Sequence, residues 1–190
     1  ILLVEDSVRY YSTYLPELYK LILAQTQEFL AETINEQQRK ILKRSRPKIL
    51  LATNLDDAMA MYEKYKSNLL GVISDVGFTV HKGEGPEKEK LDAGIDLVEH
   101  IRKDDPMMPI LLQSSQDSIS ADAERLGVGV LRKYSKTLML QLSDYIKEEF
   151  AFGDFVFRDA ERMEYGRAAN LKELEKMMRE VPDDILLANT

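Results

Sequence analysis

The sequence predicts an α/β fold in which a doubly wound, five-stranded parallel sheet is covered by helices on both faces. Three observations lead to this prediction. Short apolar runs alternate five times with helical patterns between Ile1 and Phe150, which is the pattern of a parallel sheet. The runs are continuously apolar, as expected of strands buried on both faces. With 190 residues, the chain is long enough for one core of this size and a short remainder.

The first strand is predicted at Ile1–Val4, and the helix that follows it should be unusually long. Ser7 can cap a helix that begins at Val8, and Pro16 should kink this helix or restart it. No strong breaker follows until about Arg44. Thirty helical residues would extend roughly 45 Å, which is longer than a small domain is wide.

The far end of this helix has two explanations. It is strongly polar, which suits a solvated helix end. It also carries apolar residues beyond the expected core, which suits the seam of a coiled-coil-like dimer. These residues are Phe29, Ile34 and Ile41. We favour the dimer.

The remaining elements follow from breakers, caps and apolar runs. The later strands are predicted at Lys48–Ala52, Leu69–Asp75, Ile110–Gln113 and Val130–Arg132. The later helices are one opened by Asn54, then Gly94–Lys103, Ala121–Leu126 and Leu138–Phe150. A long polar loop, Thr79–Asp92, follows the third strand and is either simply solvated or a lid.

Composition excludes several classes of function. A net charge of −7 argues against a nucleic-acid partner. The absence of cysteine excludes disulfides and thiolate zinc sites, and two histidines, His81 and His100, are too few for an imidazole metal cluster. No apolar run is long enough to span a membrane and no signal peptide is evident, so we expect a cytoplasmic location. Because the sequence begins inside an apolar run without methionine, we expect a fragment of a longer protein.

Four predicted strands end in residues that can support chemistry. They are Glu5 with Asp6, Asp75, Ser114 and Lys133. The carboxyl ends of parallel strands share one edge of the sheet, where open α/β sheets bind ligands. Three carboxylates there would repel one another unless a cation lies between them, and Mg²⁺ prefers oxygen ligands. A lysine and a hydroxyl suit phosphoryl oxygens, so Asp75 is the candidate nucleophile.

Each of these residues also has a plain structural explanation. Asp75 can be a turn residue, Ser114 a helix cap and Lys133 an exposed side chain. A catalytic or binding role is favoured only because all of these residues are expected at the same edge of the sheet.

The residues resemble the receiver domain of two-component response regulators. The resemblance covers about Ile1–Phe150. Its motifs are Leu-Leu-Val-Glu-Asp, Val-Ile-Ser-Asp ending at Asp75, Gly-Ile-Asp-Leu, Pro-Ile-Leu-Leu-Gln-Ser-Ser and the turn at Lys133, in the order of the family. It implies a flavodoxin-like regulatory domain, not an enzyme, that accepts a phosphoryl group on Asp75 from a histidine kinase or phosphotransfer protein.

The same resemblance implies a role for each site residue. Asp6, Asp75 and the backbone carbonyl of Gly77 would bind Mg²⁺ directly, and Glu5 would act through water. Phosphoryl oxygens would be held by two further residues, Ser114 and Lys133.

Several features depart from the family. Tyr134 replaces the usual proline, so the usual cis peptide is not expected. Val130 stands where an aromatic residue usually switches. The first helix and the loop after Asp75 are longer than usual. The alternative is therefore a degenerate receiver that serves as a constitutive dimerisation or docking module. A third class, an independent metal-dependent phosphotransferase or phosphatase, shares the acids but lacks an evident second catalytic base.

Residues 151–190 are predicted to form a small C-terminal extension. Phe152–Arg158 and Glu164–Ala168 can pair as a hairpin, followed by an amphipathic helix, Leu171–Glu180. Leu174, Met177 and Met178 are expected on one side of it. The segment resembles the connection between a receiver and a pyruvate phosphate dikinase or phosphoenolpyruvate synthase type enzyme, so we expect a linker to a further domain.

Overall fold

The predicted sheet is present. The computed structural model describes residues 1–32, 36, 47–115, 119–150, 155–159 and 163–188. Its parallel strands are β1 (Leu2–Val4), β2 (Leu50–Ala52), β3 (Val72–Asp75), β4 (Ile110–Ser114) and β5 (Gly129–Arg132). They pair in the order β2-β1-β3-β4-β5, which is the flavodoxin-like doubly wound order. The predicted fold class is therefore confirmed.

Helices cover both faces of the sheet. In chain order they are α1 (Val8–Glu32), α2 (Leu55–Tyr65), α3 (Ala93–Asp104), α4 (Ser120–Leu126), α5 (Leu138–Glu148), α6 (Leu171–Glu180) and α7 (Asp183–Ala188). The buried residues of α1 and α5 pack on one face of the sheet, and those of α2 and α3 pack on the other. No helix in the described ranges combines the length and apolar character needed to cross a membrane.

Neighbouring strand residues contribute to opposite cores because side chains alternate across a strand. Leu2 and Val4 belong to the core beneath α2 and α3, whereas Leu3 belongs to the core beneath α1 and α5. All three side chains are buried. This two-sided burial explains the continuous apolar runs.

Of the two outcomes predicted for the first helix at Pro16, a kink or a restart, the restart is wrong. The helix continues through this residue instead of restarting there. Proline removes one backbone hydrogen bond, but Tyr14, Leu18 and Ile22 are buried against the sheet on either side of it. Packing of the helix therefore outweighs the local break. Ile34, Ile41 and the predicted end at Arg44 lie outside the described residues, as does the side chain of Phe29.

The C-terminal segment forms the expected hairpin and helix. Strand β6 (Phe155–Arg158) pairs antiparallel with β7 (Glu164–Ala168), and α6 has the predicted bounds. The two helices α6 and α7 pack a small cluster of Phe157, Val181 and Ile185 with Leu174 and Met177. Met178 was expected beside Met177 but is 55% exposed, because consecutive helical residues point about 100° apart.

Candidate functional site

The carboxyl ends of the strands form one polar pocket. It has a volume of about 230 Å³. Its walls include Asp6, Asp75, Gly77, Ser114 and Lys133. These residues come from four separate parts of the sequence, and the parallel sheet brings their strand ends to one edge.

Three carboxylates lie close together beside this pocket. One oxygen from each of Glu5, Asp6 and Asp75 lies within 4.8 Å of the others. The Glu5 side chain is buried, and its Oε1 accepts a hydrogen bond from Ser7 N at 3.1 Å. Asp75 Oδ1 accepts one from Val76 N at 2.7 Å. Two of the three acids are thus held by backbone amides.

Lys133 bridges two of the acids. Its Nζ donates to Glu5 Oε2 at 2.8 Å and also to Asp75 Oδ2. The lysine side chain is only 5% exposed, so it is not the exposed side chain of the plain structural explanation. The same Nζ lies 4.2 Å from the centre of the Tyr10 ring, which adds a cation–π contact.

The charges of the site are strongly coupled. Burial and the charge of Asp75 raise the pKa of Glu5 to about 7. Burial also raises the pKa of Asp75, against the opposing charge of Lys133. Burial disfavours the charged form of Lys133, but Asp75 and Glu5 outweigh this and raise its pKa. The single positive charge of Lys133 therefore cannot neutralise the carboxylates of both Glu5 and Asp75.

The donor set fits a hard divalent cation. Glu5, Asp6 and Asp75 offer carboxylate oxygens, which are the ligands that Mg²⁺ takes. Gly77, whose carbonyl the family resemblance implies as a ligand, lines the same pocket. Across the described part of the chain, this is the one group of three or more acidic or histidine side chains close enough to share a metal ion.

Glycine at position 94 fixes the end of β3. Gly94 N donates to Val76 O at 2.8 Å, so the first turn of α3 lies directly against the strand end. A Cβ at this position would overlap the backbone carbonyl oxygen of Asp75. The backbone on both sides therefore requires glycine, and the close approach sets the position of Asp75.

Two solved structures of response regulators are among the proteins to which this chain is similar. A LuxR-family two-component response regulator from Aurantimonas sp. SI85-9A1 is 17% identical, with a TM-score of 0.46 over 94% of each chain. The Mn²⁺-bound form of response regulator Rcp1 is 16% identical, with a TM-score of 0.41 over 77% of this chain and 89% of the other. No protein-family model matches the sequence. No curated protein matches it either.

The loop after Asp75 contributes a fourth acid that sequence reasoning missed. Glu89 lines the pocket. Burial, followed by the charges of Asp6 and Asp75, raises the pKa of Glu89. Nothing in the sequence distinguishes it, because it is one of several glutamates and lysines in a polar loop.

Tyr10 is the second missed residue. It lines the pocket, contacts Lys133 and stacks on Tyr14 with ring centroids 6.2 Å apart. A signal for it did exist, because residues four apart share one helix face and Tyr10 and Tyr14 follow the acidic strand end in that spacing.

The two departures from the family pattern occupy different environments. Tyr134 is 73% exposed at the rim of the pocket. No cis peptide bond occurs among the described residues, which agrees with the expectation for a chain without proline here. Val130 is partly buried and packs against the core beneath α2 and α3, as a core residue would.

Proposed function

We propose that this chain is a response regulator receiver that accepts a phosphoryl group on Asp75 in a Mg²⁺-dependent reaction. The observation that carries the proposal is the meeting of Asp75 with Glu5, Asp6, Ser114 and Lys133 at one edge of a flavodoxin-like sheet. The fold by itself would not identify a function.

The chemistry assigns a separate task to each side chain. A carboxylate oxygen of Asp75 attacks the phosphorus of a phosphohistidine. The P–N bond breaks, its electron pair stays on the imidazole nitrogen, and an acyl phosphate forms on Asp75. Lys133 and Ser114 stabilise the charge on the phosphoryl oxygens. Asp6, Asp75 and the Gly77 carbonyl would hold Mg²⁺, with Glu5 acting through water, and the bound ion would add further neutralisation of charge.

The donor would be a histidine kinase or a phosphotransfer protein, acting in the cytoplasm. The proposed domain division is a receiver at residues 1–150 and a C-terminal extension at 151–190. The extension would connect the receiver to a phosphoenolpyruvate- or pyruvate-handling enzyme domain, which the phosphorylated receiver would regulate. The chain itself would catalyse only its own phosphorylation and dephosphorylation.

Phosphorylation of the purified chain by a small phosphodonor tests this proposal. We expect intact-mass spectrometry to detect one added phosphoryl group with Mg²⁺ and none with a chelator. Asp75→Asn should abolish the modification, whereas Asp122→Asn, at a half-exposed residue of α4 that does not line the pocket, should retain it. Unchanged labelling of Asp75→Asn would overturn the assignment of the acceptor.

A degenerate receiver that acts as a constitutive dimer is the second candidate. Tyr19 and Leu23 on α1 are 49% and 45% exposed, which favours a further contact along this helix. Light scattering of the chain with and without beryllofluoride and Mg²⁺ separates the two functions. A dimer that ignores beryllofluoride supports the constitutive module, and a monomer at high concentration excludes the α1 dimer.

A further inference from the structure

The missing side chain of Gly77 leaves a space that Glu89 fills. A Cβ built on Gly77 would lie 2.5 Å from Glu89 Oε1 and 3.5 Å from Leu91 Cα. The carboxylate of a loop residue therefore occupies the position that a side chain two residues after Asp75 would otherwise take. Gly77 and Glu89 are both walls of the pocket that contains Asp75 and Asp6.

The backbone around Glu89 is anchored. The next residue, Lys90, pairs with Phe78 through two hydrogen bonds of 3.2 and 3.0 Å. Phe78 is completely buried in the core. On the other side, Glu89 N donates to Pro86 O at 3.2 Å, which closes a short 3₁₀ turn. These contacts keep the residue beside Gly77 although its side chain is exposed to solvent.

The charges around Glu89 indicate what it faces. Its side chain lines the same pocket as Asp6, Asp75 and Lys133. Lys133 is already hydrogen-bonded to Glu5 and Asp75. An additional carboxylate at this place therefore increases the negative charge of the pocket, which favours a cation within it.

We propose that Glu89 is a positioning residue of the cation site, which strengthens divalent-cation binding through its carboxylate. This inference rests on the proposed function, because it concerns the same pocket. It gives the loop of residues 79–92 a specific role, because the loop places a carboxylate beside Gly77, which has no side chain of its own.

Binding of Mn²⁺ to the whole 190-residue chain, followed by electron paramagnetic resonance of the free ion, tests the inference without any phosphorylation. We expect Glu89→Gln to weaken binding about tenfold, as is typical when a group that supports metal ligands is removed. Glu87→Gln is the matched control, because it removes the same charge from an exposed residue of the same loop that does not line the pocket. It should bind like the wild type.

Gly77→Ala provides a second, independent variant. The added methyl group would displace the Glu89 carboxylate, so we expect weaker Mn²⁺ binding in the wild-type background. In the Glu89→Gln background the same substitution should have a smaller effect, since the charge is already absent. Such non-additivity is the signature of two residues that act together.

The outcomes separate this inference from the proposed function. Equal Mn²⁺ affinity of Glu89→Gln and wild type, or equal weakening by Glu87→Gln, overturns the role of Glu89 alone. A wild-type chain that binds no divalent cation overturns both. Binding that requires Glu89, in a chain that is never phosphorylated on Asp75, supports the positioning role and overturns the proposed phosphoacceptor.

Discussion

Replacing Lys133 with methionine tests how the acidic site is held in the folded chain. Lys133 Nζ donates to both Glu5 and Asp75, and the side chains of these three residues are 5%, 1% and 13% exposed. Methionine is similar in length and retains most of the packing, but it leaves two carboxylates in a buried place without their cation. Removal of one partner from a buried ion pair costs about 3 to 5 kcal/mol.

The size of this loss should depend on pH. The pKa of Glu5 is already about 7 in the presence of Lys133, and loss of the lysine raises it further. The folded variant then keeps a proton that the unfolded chain releases above its ordinary pKa. Stability is therefore retained at low pH and falls as the pH rises towards the folded pKa. Because the wild type also keeps this proton below about pH 7, we expect a loss of about 3 to 5 kcal/mol at pH 8 that is smaller by about 1 to 2 kcal/mol at pH 5.5, since one pKa unit corresponds to about 1.4 kcal/mol.

Urea unfolding at these two pH values, in the presence of a chelator, measures both losses. Lys136→Met, at an exposed residue three positions along the chain, is the control and should change the free energy of unfolding by less than about 0.5 kcal/mol at either pH. A loss for Lys133→Met that is the same at pH 5.5 and pH 8 would refute the reasoning, because it would show that no carboxyl group takes up a proton in place of the lysine.

Three further predictions concern the cation site, the end of β3 and the packing of the loops that precede β4 and β5. Calorimetric titration should show Mg²⁺ affinity rising from pH 6 to pH 8, because a proton on Glu5, whose pKa is about 7, competes with the cation; Glu5→Gln should weaken this dependence. Gly94→Ala should lower the free energy of unfolding by about 2 kcal/mol or more, because the methyl group would overlap the Asp75 carbonyl oxygen. A loss below about 0.5 kcal/mol, measured by urea unfolding, would contradict this. Arg102→Met should lower the free energy of unfolding by about 1 to 3 kcal/mol, because the Arg102 guanidinium donates to the carbonyl oxygens of Leu126, Met108 and Gly127. The control is Arg125→Met, which removes only exposed ion pairs and should leave the free energy of unfolding nearly unchanged in the same assay.

The central strands of the sheet could be predicted because apolar residues occupy their successive positions. Residues 110–112 are apolar at every position, and all three are buried in the structure, as a parallel strand with two covered faces requires. The start of β3 could not be predicted in the same way. The apolar run begins at Leu69, but the strand begins at Val72. Gly71 lies against the ring of Phe150, where a Cβ would be 2.5 Å from that ring, so a residue far along the chain shapes the backbone before the strand.

The same distinction applies to the site. Asp75 and Lys133 could be predicted because each ends a strand, and the geometry of a parallel sheet determines where strand ends lie. Glu89 could not, because its position depends on the pairing of Phe78 with Lys90 inside a loop. That pairing involves one residue from each side and leaves no repeating pattern. Site residues at strand ends can therefore be predicted from the sequence, whereas site residues that come from loops cannot.

The environment of Lys133 also bears on how a change at Asp75 would reach the rest of the chain. Val130 packs beneath α2 and α3, whereas the Lys133 ammonium group lies against Tyr10 of α1. Tyr10 stacks on Tyr14, which is completely buried and whose hydroxyl group has no hydrogen-bond partner among the described residues. In the proposed function, a phosphoryl group on Asp75 draws Lys133 towards its oxygens and changes the contact with Tyr10. The helix predicted to form a dimer seam is thus connected to the acceptor through one cation–π contact, a route that does not require an aromatic residue at position 130.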